Sequence, residues 1–154
     1  MSSDLQPIMP DRVRPANDAV ERALAEVGDR WSFLILREAF FGVRRFDGFV
    51  AATGMAKNIA SDRLKKLTAV GIFEKRRYSD HKSRFEYRLT QKGRDLYPVI
   101  VLLLQWGERW TAPEPGARLR LRHRTCGNAL DAEIVCRACG GAVRSGDVDW
   151  EATE

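Results

Sequence analysis

Three cysteines and one histidine with the spacing of metal ligands lie beyond residue 120 of this chain. His123 and Cys126 are separated by two residues, as are Cys136 and Cys139, and each pair is followed by a glycine that allows a tight turn. Three thiolates and one imidazole suit tetrahedral Zn²⁺. The spacing therefore predicts a structural zinc site formed by these four residues. Two alternatives stay open: a metal-free segment held by its apolar side chains, and a redox role for Cys136 and Cys139.

A second group of residues with chemical potential lies between positions 56 and 77. Seven Lys or Arg side chains stand there against two acidic ones, and the whole chain carries a formal net charge of +5. The positive charge is thus concentrated in this window, and the rest of the chain is near neutral. Concentrated positive charge on a helical pattern is typical of a surface that binds phosphate groups. The alternative is an ordinary solvated helix face.

The periodicity of apolar residues predicts the elements that position these side chains. Four helices are expected, then two alternating runs joined by a polar linker, then one long helix in which Pro98 introduces a kink or an early bend. The predicted helices cover 19–27, 30–41, 46–53, 57–69 and 91–110, and the predicted strands cover 72–78 and 84–89. Two helices joined by a short glycine-containing turn, here at Gly54, form a helix-turn-helix, and the hairpin that follows would be its wing.

Five segments of the sequence resemble, in order and register, the regulators of the HxlR family. They are the runs 27–38, 42–47, 61–67, 86–96 and 105–107, which read VGDRWSFLILRE, GVRRFD, SDRLKKL, EYRLTQKGRDL and QWG. The resemblance covers residues 18 to 110. It implies a bacterial winged helix-turn-helix protein that binds operator DNA as a homodimer and represses or activates nearby genes. Many relatives carry a cysteine just before the first helix, whereas this chain reads PANDA there, which weakens a redox-sensing or aldehyde-sensing role at that position.

The helix 57–69 has the side chains that a DNA-reading helix needs. Asn58 can pair with adenine, Ser61 can contact a base or a phosphate, and the lysines and arginines can hold phosphates. Arg63 has an alternative role in an internal ion pair. The predicted DNA contacts are Arg44, Arg45, Lys57, Asn58, Ser61, Arg63, Lys65, His81, Lys82 and Arg84.

We therefore predict a mainly α (α+β) fold: a winged helix-turn-helix with a long dimerisation helix and a small C-terminal, β-containing extension similar to a zinc ribbon. The predicted segments are a flexible arm (1–17), the DNA-binding domain (18–89), the dimerisation helix (90–112), the ribbon-like extension (117–145) and an acidic tail (146–154). The helix 91–110 carries more apolar residues than one small domain covers, so it is expected to pack with the first helix in a twofold dimer. An intrachain core is the alternative.

Several classes of protein are excluded by what the sequence lacks. It contains no nucleophile elbow, phosphate-binding loop, HExxH motif or paired catalytic carboxylates, so no enzymatic activity is expected. It has neither an apolar run long enough to span a membrane nor a secretory signal, so we expect a cytoplasmic protein. The predicted partners are double-stranded DNA and a second copy of the chain, with a small-molecule effector left open. The alternative function is a winged-helix module that binds protein or RNA and carries a structural zinc ribbon.

Overall fold

The computed structural model describes residues 17–78, 84–114, 116 and 119–149. It contains, in chain order, α1 (Ala19–Val27), α2 (Arg30–Phe40), α3 (Phe46–Thr53), α4 (Lys57–Ala69), β1 (Phe73–Arg77), β2 (Phe85–Leu89), α5 (Gln91–Arg94) and α6 (Tyr97–Trp110). The chain divides into two compact units, Ala19–Leu104 and a second made of the described residues from Gln105 onwards together with Asn17 and Asp18. Across the described ranges, no helix is both long and apolar enough to cross a membrane.

The first unit is built around α2, which carries apolar residues on most of its surface. Ile35, Leu36 and Ala39 of α2 are fully buried. Helix α4 turns its apolar stripe of Ala60, Leu64 and Leu67 to the same core, as the sequence periodicity predicts. Phe49 of α3 and Phe73 of β1 close the core with an edge-to-face contact, their ring centroids 6.1 Å apart.

The two strands form an antiparallel wing directly after α4. Phe73 lies opposite Leu89 and Arg77 lies opposite Phe85, which fixes the register over five residue pairs. The strands are shorter than predicted because Ile72 is buried in the turn after α4, where its backbone N–H donates to the Leu67 carbonyl. Four helices followed by a two-stranded wing confirm the predicted α+β winged helix-turn-helix.

The prediction of one continuous helix from residue 91 to 110 is wrong, because the chain breaks at Asp95 and Leu96. Thr90 caps α5, accepting the Gly93 backbone N–H through its side-chain oxygen. Pro98 is the second residue of α6. Proline has no N–H to donate to the carbonyl four residues earlier and its ring collides with that carbonyl, so it is accommodated in a first turn but not within a helix. The proline therefore starts a new helix instead of kinking an old one.

The C-terminal unit contains little regular structure. Of the β-structure predicted for the extension, the described residues 119–123 contribute a single β-bridge, between Arg122 and Ala129. A second bridge joins Val135 to Ala142. Not one of residues 119–149 is buried, so this part of the chain has no hydrophobic core of its own.

Candidate nucleic-acid interface and cysteine hairpins

Helix α4 begins at an exposed corner of the first unit. The Gly54 N–H donates to the Val50 carbonyl at 2.9 Å, and Gly54 adopts a left-handed conformation (φ 68°) that ends α3. The chain reverses over two residues and α4 starts at Lys57. Its N-cap residue, Ala56, makes no side-chain capping bond. Helix N-termini carry partial positive charge and favour anions, so this end of α4 is electrostatically suited to a phosphate.

The polar face of α4 opens to solvent, as the sequence predicts. Lys57, Asn58 and Lys65 are exposed, and Ser61 is half-buried on the same side. Neither lysine forms an ion pair with a carboxylate in the described part of the chain. The arrangement supplies one amide that can donate and accept hydrogen bonds, one hydroxyl, and two cations at the surface.

Arg63 is tied to the body of the domain, which was one of the two roles open to it. Its Nε lies 3.5 Å from Asp29 Oδ1, and the two side chains are about one third exposed, at 33% and 28%. The contact is an ion pair without hydrogen-bond geometry, because the buried Arg63 Nε has no hydrogen-bond partner. Whether Arg63 also contacts DNA stays a prediction.

Asp29 is at the same time the N-cap of α2. Its carboxylate accepts hydrogen bonds from the Ser32 backbone N–H at 3.0 Å and from the Ser32 hydroxyl at 2.5 Å. Partial burial acts to raise the pKa of Asp29, but the two Ser32 hydrogen bonds and the Arg63 charge act against it. A smaller contribution comes from the charge of Lys66, and the resulting pKa is lowered from the ordinary value of 3.8. Asp29 thus joins the start of α2 to the middle of α4 through a charged carboxylate.

The two arginines before α3 lie in different surroundings. Arg44 is half-buried, and its Nη1 donates to the Ala39 carbonyl at 2.6 Å and to the Val43 carbonyl at 3.1 Å, which closes the C-terminal end of α2. Its own carbonyl accepts the Tyr87 N–H at 2.7 Å. Arg45 is exposed, with its guanidinium carbon 4.3 Å from the Tyr78 ring centroid. Arg45 is therefore the better placed of the two for a phosphate contact.

The wing carries cations of the basic window 56–77 that were not among the predicted DNA contacts. Lys75 and Arg77 of β1 are exposed, with the Lys75 Nζ 4.3 Å and the Arg77 guanidinium carbon 5.7 Å from the Phe85 ring centroid. Their alternation along β1, with one residue between them, is the signal that could have found them. Arg84 is exposed directly before β2, as required of a wing contact. His81 and Lys82 lie outside the described residues.

Apolar side chains are exposed along α1 and α6. Val20 and Leu24 share one face of α1, and within the first unit Val99 and Leu103 share one face of α6, where Leu103 is 49% exposed. Trp106 and Trp110 continue the same α6 spacing in the C-terminal unit and are also exposed. Of the apolar stripe predicted for α1, Val27 is the residue buried in the core. Exposed faces of this kind mark surfaces that bind another molecule.

The predicted zinc ligands lie in two hairpins of similar build. In the first, Cys126 Sγ lies 3.5 Å from His123 Nδ1. In the second, the Cys136 sulfur accepts hydrogen bonds from the backbone N–H groups of Ala138 and Cys139 and interacts with the Cys139 side chain, which lowers the pKa of the Cys136 thiol. Such N–H groups aimed at sulfur stabilise a thiolate, the form that ligates metals.

The hairpins present donors suited to zinc but hold them as two pairs. Gly127 and Gly140, each directly after a cysteine, have φ values of 72° and 74°, which let the backbone turn tightly around the sulfur. Within 17–78, 84–114, 116 and 119–149, no group of three or more His, Cys, Asp or Glu side chains is close enough to hold a metal ion. The donor set fits Zn²⁺ in kind, and zinc ligation stays a prediction.

Comparison with protein families places the helical unit in a known group. The profile of the family described as HxlR-like helix-turn-helix matches residues 26–115. An uncharacterized HTH-type transcriptional regulator of Mycobacterium tuberculosis is 45% identical over 134 residues, which is 87% of this chain and 85% of that protein. A match over 134 residues cannot end before residue 115, where the family match ends. The similarity to this relative therefore extends beyond residue 115. The YvaP regulator of Bacillus subtilis is 31% identical over 94 residues, or 60% of this chain and 87% of that protein.

Solved structures give the same picture. PA1607, described as a candidate transcription factor, superimposes with a TM-score of 0.79 at 34% identity and covers 90% of this chain and 96% of its own. PA1374 of Pseudomonas aeruginosa, also a candidate transcription factor, has a TM-score of 0.63 at 33% identity over 86% of this chain and 90% of its own. The reduced form of the redox regulator HypR has a TM-score of 0.56 at 28% identity and covers 60% of this chain and 92% of its own.

Proposed function

Because this chain belongs to the HxlR-like helix-turn-helix family of transcriptional regulators, we propose that it acts as a homodimer on an inverted-repeat DNA operator. The observation that carries the proposal is the exposed polar face of α4, with Asn58 between cations and the opposite face buried in the core. A helix held in this way presents its side chains to the major groove while the rest of the domain keeps it rigid. Transcriptional regulation by DNA binding is the function of the family.

Each residue of the α4 face has a separate task in this proposal. Asn58 reads a base, because its amide can donate to and accept from an adenine edge at once. Ser61 contacts a base or the backbone. Lys57 and Lys65 hold phosphates, and exposed Arg45 and the wing cations Arg77 and Arg84 add further phosphate contacts.

The proposed dimer uses the exposed apolar faces of α1 and α6. Val20, Leu24, Val99 and Leu103 are large side chains that the monomer leaves about half exposed. Removing the exposed half of each from water would contribute about 0.8–1.5 kcal/mol, half the value for a fully exposed side chain. A twofold axis through such a surface brings the same apolar patch of the two protomers into contact. Two recognition helices related by that axis read two half-sites about one DNA turn apart, which requires an inverted repeat.

Footprinting on the DNA upstream of the protein's own gene tests the operator. We expect protection of an inverted repeat, and no protected repeat there would contradict local regulation.

In binding assays Asn58→Ala should relax discrimination at one base pair of each half-site by about 1–3 kcal/mol, while Lys57→Ala weakens all sequences alike. Arg22→Ala is the matched control, since it removes one positive charge from the surface of α1. Binding to protein or RNA without binding to duplex DNA would favour the alternative module.

Sedimentation tests the dimer separately from DNA. Leu24→Glu and Leu103→Glu place charges in the apolar faces and should shift the wild-type dimer to a monomer. Ala25→Glu introduces the same charge at an exposed neighbouring position of α1 and should leave the dimer intact. A wild-type protein that is monomeric at micromolar concentration would contradict the proposal.

We also propose that the C-terminal extension is a small zinc ribbon. Its described residues include none that is buried, and Leu121, Leu130, Ile134 and Val135, which would have to hold a metal-free ribbon, are half-buried or exposed. A segment of this size without a core is ordered most simply by a metal. Metal analysis of protein purified without added zinc tests this, and less than about 0.2 zinc per chain would contradict it.

A further inference from the structure

The two cysteine hairpins are copies of one structural unit, thirteen residues apart. In the first hairpin, the Leu130 N–H donates to the Leu121 carbonyl at 2.8 Å. In the second, the Val143 N–H donates to the Ile134 carbonyl at the same distance. Each hairpin has one β-bridge at the next position inward, Arg122 with Ala129 and then Val135 with Ala142. The hairpins thus repeat residue for residue.

The repeat continues through the turn, where the metal-binding side chains lie. Residue 123 donates its N–H to the Asn128 carbonyl and accepts the Gly127 N–H, and residue 136 makes the same two bonds with 141 and Gly140. His123 therefore occupies the place of Cys136, and Cys126 the place of Cys139. A ligand pair in one copy predicts a ligand pair in the other, so the structural position of His123, and not its spacing alone, argues for it as a ligand.

A single side chain of α6 holds the linker between the hairpins. Gln105 Nε2 donates to the Ala132 carbonyl at 3.0 Å and to Asp131 Oδ1 at 3.2 Å, and its Oε1 accepts the Ala132 N–H at 2.9 Å. The amide thus uses both its donor and its acceptor on two consecutive residues. All these residues belong to the C-terminal unit, so the linker is fixed within the unit while the hairpins have no core to hold them.

We propose that one Zn²⁺ per chain is bound between the two hairpins by His123, Cys126, Cys136 and Cys139, with Gln105 as a positioning residue. This inference rests on the proposed zinc ribbon and specifies its ligands, its stoichiometry and its link to α6. The described structure holds the ligands as two pairs, so binding must bring the hairpins together. A linker that is already fixed leaves less chain freedom to be lost when they close, so the Gln105 hydrogen bonds favour the bound state.

The ligand set is tested on the full-length protein under reducing conditions. We expect one zinc per chain, and Co²⁺ substitution should give the spectrum of a tetrahedral site with three sulfurs and one nitrogen. His123→Cys should keep one metal per chain and convert the spectrum to that of four sulfurs. His81→Ala, which removes the other histidine of the chain, is the matched control and should change neither. A Co²⁺ spectrum with only two sulfur ligands, or half a zinc per chain, would overturn the shared site.

The positioning role is tested by competition with a chelator of known affinity. Gln105→Ala should weaken zinc binding about tenfold, the effect of one or two hydrogen bonds, with unchanged stoichiometry and Co²⁺ spectrum. Gln91→Ala, at the exposed glutamine of α5, is the control and should leave the affinity unchanged. Equal affinity in Gln105→Ala and wild type would refute the positioning role while leaving the ribbon intact. Absence of zinc from every variant would refute the ribbon itself, whatever the outcome of DNA footprinting.

Discussion

Replacing Asp29 by alanine removes the carboxylate that joins the start of α2 to the middle of α4. Three interactions disappear together: the cap bond from the Ser32 N–H, the bond from the Ser32 hydroxyl, and the ion pair with Arg63. Ser32 is fully buried, so its hydroxyl cannot turn to water once the carboxylate is gone. The substitution therefore leaves a buried donor without its partner, in addition to uncapping a helix.

The cost follows from the removal of these three interactions. An N-cap contributes about 1 kcal/mol, a buried hydroxyl without its partner costs about 1–2 kcal/mol, and a partly exposed ion pair contributes about 0.2–1 kcal/mol. Because the three interactions share one carboxylate and are not additive, we expect Asp29→Ala to lower the free energy of unfolding by about 2–3 kcal/mol. Asp29→Asn keeps an acceptor for the cap and removes the charge, so its cost should be about 1 kcal/mol or less.

Urea unfolding followed by circular dichroism measures both variants at neutral pH. The expected result is a lower midpoint with an unchanged slope, since the surface exposed on unfolding stays the same. Asp62→Ala is the matched control: it removes an exposed carboxylate on α4 and should stay within about 0.5 kcal/mol of wild type. If Asp29→Ala costs no more than Asp62→Ala, the carboxylate does not hold α2 and α4 together.

Three further predictions concern acid stability, the core and DNA. The stabilisation by the Asp29 carboxylate is complete well above its unfolded pKa of about 3.8 and is lost as the pH falls through the lowered folded pKa. In urea titrations the stability gap between wild type and Asp29→Asn should therefore begin to close below about pH 5 and vanish only below the lowered folded pKa, and a gap that does not change with pH would contradict this. Phe49→Ala opens the edge-to-face cluster with Phe73 and Tyr87 and should cost about 3–5 kcal/mol by the same unfolding assay, and a cost under about 1 kcal/mol would contradict this packing. Lys57→Ala should reduce the slope of log K against log salt by about 0.9 for each phosphate that the lysine neutralises, hence about twice that for a dimer, and an unchanged slope would remove Lys57 from the interface.

The helices of the DNA-binding unit could be predicted closely from local sequence. Apolar spacing and the glycines that end each segment gave α1, α3 and α4 with the bounds that the structure has. The outward placement of Lys57, Asn58 and Lys65 followed from the same periodicity. The wing was also predictable, since alternation and a polar linker specify a hairpin locally.

The partners of the arginines were not predictable in the same way. Asp29 and Arg63 are far apart in sequence, so the sequence left both a DNA contact and an internal ion pair open to Arg63. The packing of α2 against α4 brings the two side chains together as an ion pair. The sequence predicted both Arg44 and Arg45 as DNA contacts, yet Arg44 closes the end of α2 while Arg45 stacks on Tyr78. Adjacent side chains point in different directions here, and only the packed structure decides which of them meets solvent.

The sequence by itself determined the bounds of α1, α3 and α4, which face of α4 is polar, and that the C-terminal cysteines lie in glycine-ended pairs. These features depend on backbone geometry within a few residues, where spacing and chain sterics act directly. Tertiary structure alone decided the Asp29–Arg63 link, the different surroundings of Arg44 and Arg45, and the hydrogen bonds of Gln105 to the hairpin linker. These depend on which distant surfaces meet, and that follows from packing the whole chain rather than from any one segment.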